Sequence, residues 1–385
     1  MIYLDNAATA PLDPRVVDAM LPWLRTQYGN ASSDHALGRQ AREAVEKARA
    51  HVAALINAIP EEVIWTSGAT EANNLAIKGA LEFRALKNPH LVTSRVEHRS
   101  VLDTCRYLET RGVRVTYLKP DALGRIAPAD VLAAAVPDTA LVSLMWVQNE
   151  IGTINEIEQI APALRERGIL FHVDAVQAAG KIPIDLQRTP IDLLTVTAHK
   201  QHGPKGVGAL FVRKKPRARV APQIHGSGHE LGMRSGTLPT HQIVGMGEAY
   251  RLARAEMAAD DQRIAALRDE LWDRLQQLPR IHRNGDPHNA VAHILNVSFE
   301  GVEGESLRAM LPGIAASSGS ACSSATREPS YVLRALGRDD ELASASLRFS
   351  LGRFTDEAHI RGAASQVIEA VEHLRKLSPL WRQAA

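Results

Sequence analysis

Between Val63 and Val212 short β-rich runs alternate with longer amphipathic stretches, and this alternation most limits what the chain can fold into. The strand candidates are Val63 to Thr66, His90 to Ser94, Arg114 to Leu118, Ala140 to Trp146, Ile169 to Val173, Leu193 to Thr197 and Gly208 to Val212. Strands alternating with helices predict an α/β fold, a mostly parallel, doubly wound sheet. Ligands of such sheets sit beyond the carboxyl ends of the strands. The polar residues at those ends are therefore site candidates: Ser67-Gly68-Ala69-Thr70-Glu71, Glu97-His98, Gln148-Asn149-Glu150, Asp174 and Ala198-His199-Lys200. After about Met246 the pattern changes. A long charged helix, roughly Val244 to Leu278, leads to a strand at Leu295 to Phe299 and mixed segments beyond. The expected division is a large domain over 15–255 and a smaller α+β domain formed by 1–14 with 256–385.

A length of 385 residues fits about two packed units. The net charge of +2 argues for neither nucleic acid nor an anionic membrane as partner. Two isolated cysteines, Cys105 and Cys322, fit a reducing compartment. The first residues, MIYLDNAATAPLDP, show no signal-peptide pattern, and no apolar run approaches the ~20 residues of a membrane span. A cytoplasmic location is expected.

Lys200 directly follows a strand and is aimed at the crevice. A partly desolvated lysine there has a free amine able to form an imine; the bland alternative is a solvated surface lysine. Asp174 ends a buried-looking strand, where a carboxylate needs a cationic or hydrogen-bonding partner. The pyridinium nitrogen of pyridoxal phosphate is such a partner, and an Asp that keeps it protonated keeps the ring an electron sink. Asp174 could equally be a helix cap. Gln177 could donate to the ring's phenolate oxygen. The Ser67 to Glu71 turn offers backbone N–H groups and the Thr70 hydroxyl to a phosphate at a helix start, though these are also plain helix-start residues. His98 could stack on the ring or be structural. Asn149 could bond the ring oxygen or a substrate carboxylate, and Thr197 and His199 could reach the phosphate.

Cys322 lies in the small, polar run Ser317 to Thr326, which offers no apolar packing and leaves the thiol available as a nucleophile. Cys105, in VLDTCRYL, reads as a packed cysteine. Arg348, in SLRFSLGRFT, could clamp a carboxylate with two parallel hydrogen bonds or form a surface salt bridge. The basic run Arg213 to Arg219 is either a solvated surface or a docking site for an acidic regulator or acceptor. The glycine-rich runs at Gly203 and Gly226 lack the strand–turn–helix context of a dinucleotide site. No zinc pattern occurs among the histidines, so no metal is expected.

Taken together, TSGATEANNLAIKG, EHRSVLDTC, NEIGT, HVDAVQ, AHKQHGPKGVGALFVR, GMRSGTLPTHQIVGMGEA, SSGSACSSA and LRFSLGRFT resemble the cysteine desulfurases. These are a branch of the class V aminotransferases, and the likeness is to the members serving general iron–sulfur and tRNA sulfur supply. The resemblance runs from YLDNAATAPLDP to LSPLW. It implies the type I fold of pyridoxal-phosphate-dependent transferases, with Lys200 as the imine lysine and His98 stacked on the ring and assisting proton transfers. Asp174 would pair with the pyridinium and Gln177 with the ring oxygen. Ala69, Thr70, Thr197 and His199 would hold the phosphate. Thr237 would reach the phosphate of a neighbouring subunit, which implies a homodimer. Asn149 and Arg348 would orient L-cysteine, and Cys322 would accept its sulfur for transfer to an iron–sulfur scaffold or a tRNA-thiolation carrier.

Some residues depart from the family pattern, among them Ser227 and Leu231 in HGSGHELGMRSGT and Ala31 after Tyr28-Gly29-Asn30. Close relatives carry a scaffold-docking tail beyond LSPLW, whereas this sequence stops at Ala385, so weaker scaffold docking is expected. Two rivals stay open: a selenocysteine lyase or aminotransferase on the same fold, and a sulfur-carrying protein with vestigial catalysis.

Overall fold

The structure is a computed structural model and describes residues 1–319, 328–378 and 381. Its strands are β1 (Ile2–Tyr3), β2 (Val63–Thr66), β3 (His90–Ser94), β4 (Arg114–Leu118), β5 (Thr139–Met145), β6 (Leu170–Asp174), β7 (Leu193–Thr197), β8 (Gly208–Val212), β9 (Ile281–Asn284), β10 (Ile294–Phe299), β11 (Ile314–Ala315) and β12 (Ser346–Ser350). Seven of them form one sheet in the order β2-β8-β7-β6-β5-β3-β4. Strand β8 runs antiparallel to both of its neighbours, and the other pairings are parallel. The expected doubly wound α/β sheet is therefore present, with β5 and β6 displaced by one residue from their expected spans.

Both faces of the sheet are covered, which is why β5, β7 and β8 are buried throughout and read as unbroken apolar runs. On one face Val92, Val142, Phe171, Val173 and Leu194 pack with Val45 and Val52 of the helix Ala36–Leu55 and Ile243 and Tyr250 of the helix Thr240–Leu275. On the other, Leu91, Leu141, Leu193 and Leu210 meet Leu75, Ala76 and Ala80 of the helix Ala69–Arg84 and Val101 and Cys105 of the helix Arg99–Glu109.

A separate apolar cluster surrounds the antiparallel sheet β12-β10-β9. It takes Ile360, Ala363, Ala364, Val367 and Val371 from the helix Glu357–Leu377, one stripe at helical spacing. The long helix Thr240–Leu275 contributes to both cores: its first half packs on the large sheet, and Ile264, Leu267, Leu271 and Leu275 enter the second. Its start precedes the expected Val244, because Pro239 occupies the cap position.

The N-terminal segment joins the two cores. Strand β1 pairs with β11, Asp5 bridges to Ser350 of β12, and the Ala7 N–H donates to Ser350 Oγ at 2.8 Å. At the other edge the turn before helix Ala69–Arg84 depends on glycine. Gly68 has φ of 151°, and a Cβ on Gly208 would stand 2.8 Å from Gly68 Cα, so β8 passes directly against that turn.

The structure corrects one expectation. Arg213, read as the start of a basic surface run, is buried: its guanidinium donates to the carbonyls of Leu186, Thr189 and Ile191. Residues 214–217 and Arg219 remain exposed.

A buried ion pair fixes the segment that carries Arg234 and Thr237. Arg49 donates to both carboxylate oxygens of Glu230 at 2.7 and 3.0 Å, and Glu230 also accepts from the Trp65 N–H at 2.8 Å. Glu230 adopts φ of 52°, a left-handed conformation that this pairing holds in place. Arg49→Ala would leave the Glu230 charge buried and unpaired. It is expected to lower stability by about 3–5 kcal/mol in urea unfolding.

Candidate active site

A cavity of about 460 Å³ opens at the carboxyl ends of the parallel strands. Its wall brings together Ala69, Thr70, His98, Asn149, Asp174, Gln177, Thr197, His199, Lys200 and Arg348, residues spread over most of the sequence. Each arrives on a definite element. Lys200 and His199 follow β7, Asp174 ends β6, and Asn149 lies beyond β5. Ala69 and Thr70 open one helix, His98 caps another, and Arg348 projects from β12 of the second sheet.

The Lys200 ammonium donates to the Ala7 carbonyl at 2.5 Å and the Ala8 carbonyl at 2.6 Å. The same Ala7 oxygen accepts from Gln177 Nε2 at 3.0 Å. The turn holding Lys200 is tied to this strap again, because the Ala10 N–H donates to the His199 carbonyl at 2.8 Å. Asp174 accepts from Asn73 Nδ2 at 2.8 Å and from the Val176 N–H at 3.0 Å. Among the described residues no helix starts between β6 and β7, so the bond to Val176 is a turn bond and not the helix cap that the sequence also allowed.

At the helix Ala69–Arg84 the cap residue is Gly68, which has no side chain to satisfy the first N–H groups. The start of a long helix thus faces the cavity with backbone donors available to an anion. Thr197 Oγ1 donates to the Val207 carbonyl at 3.1 Å, and His199 Nδ1 lies 3.3 Å from Thr9 Oγ1. Arg348 is 1% exposed. Its guanidinium donates to the Asn149 carbonyl and to Asp5 Oδ1, both at 2.9 Å, while its buried Nε has no partner among the described residues. An arriving carboxylate would supply one.

Burial governs the titratable groups here. It pulls His98 below the ordinary histidine range, with Asp174 opposing and Lys200 reinforcing the effect. Burial, then Lys200 and Lys205, pulls His199 down to about 4, so its ring is neutral at physiological pH. Glu97, beside His98, is fully buried and accepts from Ser94 Oγ at 2.6 Å; burial pushes its carboxyl up to about 8. Burial pushes the Cys105 thiol up to about 12, which makes it the inert, packed cysteine expected.

Thr237 is exposed and does not line the cavity of its own chain. Cys322 lies outside the described residues. Sequence reasoning gave no role to Asp5, Ala7, Ala8 and Thr9, although LDNAATA was among the resembling stretches. It also missed Asn73 and Ser100. Nothing local in the sequence marks them, since they act on groups 101 and 2 residues away through contacts made only in the fold.

The chemistry of this donor set matches pyridoxal phosphate. Lys200 suits the aldehyde, Asp174 the pyridinium nitrogen, and the uncapped start of helix Ala69–Arg84 with Thr197 and His199 the phosphate. Fold and site together define a pyridoxal-phosphate-dependent enzyme of the type I fold. Residues 2–362 match the family aminotransferase class-V, and the chain belongs to that family. Over 383 residues it is 57% identical to cysteine desulfurase IscS of Stutzerimonas stutzeri (strain A1501), covering 99% of this chain and 95% of that one. The protein of the same name from Azotobacter vinelandii matches at the same identity and coverage. A NifS-like protein of solved structure superposes with a TM-score of 0.90 at 34% identity, covering 97% of this chain and 100% of that one. The structure of SspA in complex with cysteine superposes with a TM-score of 0.83 at 36% identity, covering 92% and 100%.

Glu97 gives the site a measurable pH signature. The folded protein keeps this proton to about pH 8, whereas the unfolded chain releases it near 4.5. The stabilisation is therefore complete below 4.5 and is lost as pH rises toward 8. Glu97→Gln is expected to flatten the fall, worth about 1.4 kcal/mol per pH unit across that window, in denaturant unfolding followed against pH.

Proposed function

We propose that the chain is a cysteine desulfurase: it removes sulfur from L-cysteine, giving L-alanine and a persulfide on Cys322. The observation that carries this reading is the placement of a buried guanidinium, Arg348, in the same cavity wall as Lys200, Asp174 and His98. An amino acid held there by its carboxylate presents its amine to the lysine end of the site. The names of the relatives and the cysteine complex among the solved structures supply the substrate.

When bound, pyridoxal phosphate supplies an electron sink for charge developing at the substrate α-carbon. In this reading Lys200 would hold the cofactor and would move the α-proton of the substrate. Asp174 holds the ring nitrogen protonated, and Gln177 turns its amide from Ala7 to the ring oxygen. Ala69, Thr70, Thr197 and His199 bind the phosphate, and His98 covers the ring. Asn149 and Arg348 orient the carboxylate, with Asp5 fixing the guanidinium from behind. The Cys322 thiolate attacks the substrate sulfur; the S–S bond forms as the C–S bond breaks, and the carbon product leaves as L-alanine. Ser317, in the chain leading to Cys322, pairs with Arg348 through backbone hydrogen bonds, which ties that segment to the substrate clamp.

The persulfide then passes to a protein acceptor for iron–sulfur assembly or tRNA thiolation, in the cytoplasm. We read the active species as a homodimer, since Thr237 is exposed and away from its own pocket, free to complete a partner's phosphate site. We keep the division into 15–255 and 1–14 with 256–385; the second apolar core lies in the latter part, while Val291, Ile294, Val332, Leu333, Leu336 and Ala343 of that part pack in the large core.

Alanine released from L-cysteine with a reductant present tests the reading. The native protein is expected to turn over and Cys322→Ala to lose turnover while keeping the cofactor's visible band. Equal release by both would move the reading to a lyase. Arg348→Lys is expected to lower kcat/KM roughly tenfold to a hundredfold, chiefly through KM, because a lysine cannot replace the charge-assisted bonds of the guanidinium.

A further inference from the structure

Asn73 sits on the helix Ala69–Arg84, fully buried, with no place in the mechanism above. Its amide nitrogen makes two bonds, to Asp174 Oδ2 and to Ser100 Oγ, each 2.8 Å. An amide NH2 has two hydrogens, and both are used. Turning the amide over would set its oxygen against the Asp174 carboxylate, so an ionised Asp174 fixes which way Asn73 faces. Its Oδ1 is buried with no hydrogen-bond partner among the described residues. A buried acceptor left unpaired is a cost that an apolar residue would not carry.

Ser100 passes the orientation on. Its hydroxyl oxygen accepts from Asn73, which leaves its hydrogen to point at His98 Nδ1, 2.8 Å away. The backbone N–H of Ser100 also donates to that nitrogen, at 3.1 Å, because His98 caps the helix Arg99–Glu109. An imidazole nitrogen that receives hydrogen bonds holds a lone pair and no proton. The proton of the neutral ring therefore resides on Nε2.

We infer that Asn73 and Ser100 are positioning residues that hold His98 as the neutral Nε2–H tautomer and tie that tautomer to the negative charge of Asp174. The same carboxylate that serves the cofactor nitrogen thus orders the ring that covers the cofactor, through two side chains on two helices. His98 is a proton donor at Nε2. It accepts a proton only as the ring rearranges, since Nδ1 is occupied while the Ser100 hydroxyl and the Ser100 N–H both point at it. Among the described residues Asp174, Lys200 and Asp103 act on this ring, and burial favours its neutral form.

This inference rests on the reading of His98 as the residue over the cofactor, and its test needs no turnover. Ring-nitrogen NMR of histidine-labelled holoenzyme without substrate, assigned by His98→Gln, reads the tautomer directly. The expected native pattern is a neutral ring protonated at Nε2. A proton on Nδ1, or a cationic ring at neutral pH, would overturn the inference. Asn73→Leu, close in size but without a donor, is expected to mix the tautomers and to lower kcat by about tenfold with KM changed less than about twofold. An unchanged ring pattern in that variant overturns the inference. Should Asn73→Leu not fold, Ser100→Ala is expected to mix the tautomers and Ser100→Thr to keep the native one; a native pattern in Ser100→Ala counts against it. Absence of alanine release together with the native ring pattern would refute the desulfurase reading and leave this inference standing.

Discussion

The ammonium of Lys200 rests on the carbonyls of Ala7 and Ala8, and the geometry of the whole site follows from that contact. A lysine on a turn after a strand is ordinarily free to reach into solvent. Here two fixed oxygens hold its nitrogen inside the cavity, and the oxygen of Ala7 also holds Gln177. The strap that provides them is anchored to the second sheet through Ser350 and Asp5. Lys200 on the large sheet and Arg348 on the small one are therefore set by one extended segment. Backbone carbonyls suit this task, because they lie at positions that no rotamer change can alter.

The site separates charge from neutrality with little room between them. Asp174 and Lys200 line the same pocket as His98 and His199, both of which burial keeps uncharged, and Glu97 behind them holds its proton to about pH 8. Opposite charges that face each other across a small cavity, backed by neutral groups, keep their field directed at the ligand. The start of the helix Ala69–Arg84 adds backbone donors to this wall, and Lys205 lines the cavity close enough to act on His199.

Much of this was legible in the sequence. Strands β2, β3, β4, β7 and β8 fall on the expected residues, because each is a short apolar run bounded by turn-forming or polar residues. Of the polar residues expected at their carboxyl ends, Ser67 to Glu71, His98, Asn149, Asp174, His199 and Lys200 converge in one cavity, whereas Glu97, Gln148 and Glu150 do not line it. What the sequence hid depends on contacts across long separations. Asp5 and the Ala7 and Ala8 carbonyls carry no recognisable chemistry until the strap is laid against β12 and the Lys200 turn. Asn73 reads as one polar residue on a helix. Arg213 was misplaced for the opposite reason. A run of like charges suggests solvent, but the first residue after β8 turns inward, where its guanidinium bonds three loop carbonyls.

The strap has a consequence for how the protein comes into being. Residues 2 to 10 leave the ribosome well before β12, yet Ala7 meets Ser350, 343 positions later. The large sheet has all its strands once Val212 is made, but the pocket still lacks one wall until β12 appears. Contacts of such separation form late and slowly. During synthesis this segment must therefore wait beside a nearly finished sheet, and a ligand that needs both walls can settle only once β12 has been made.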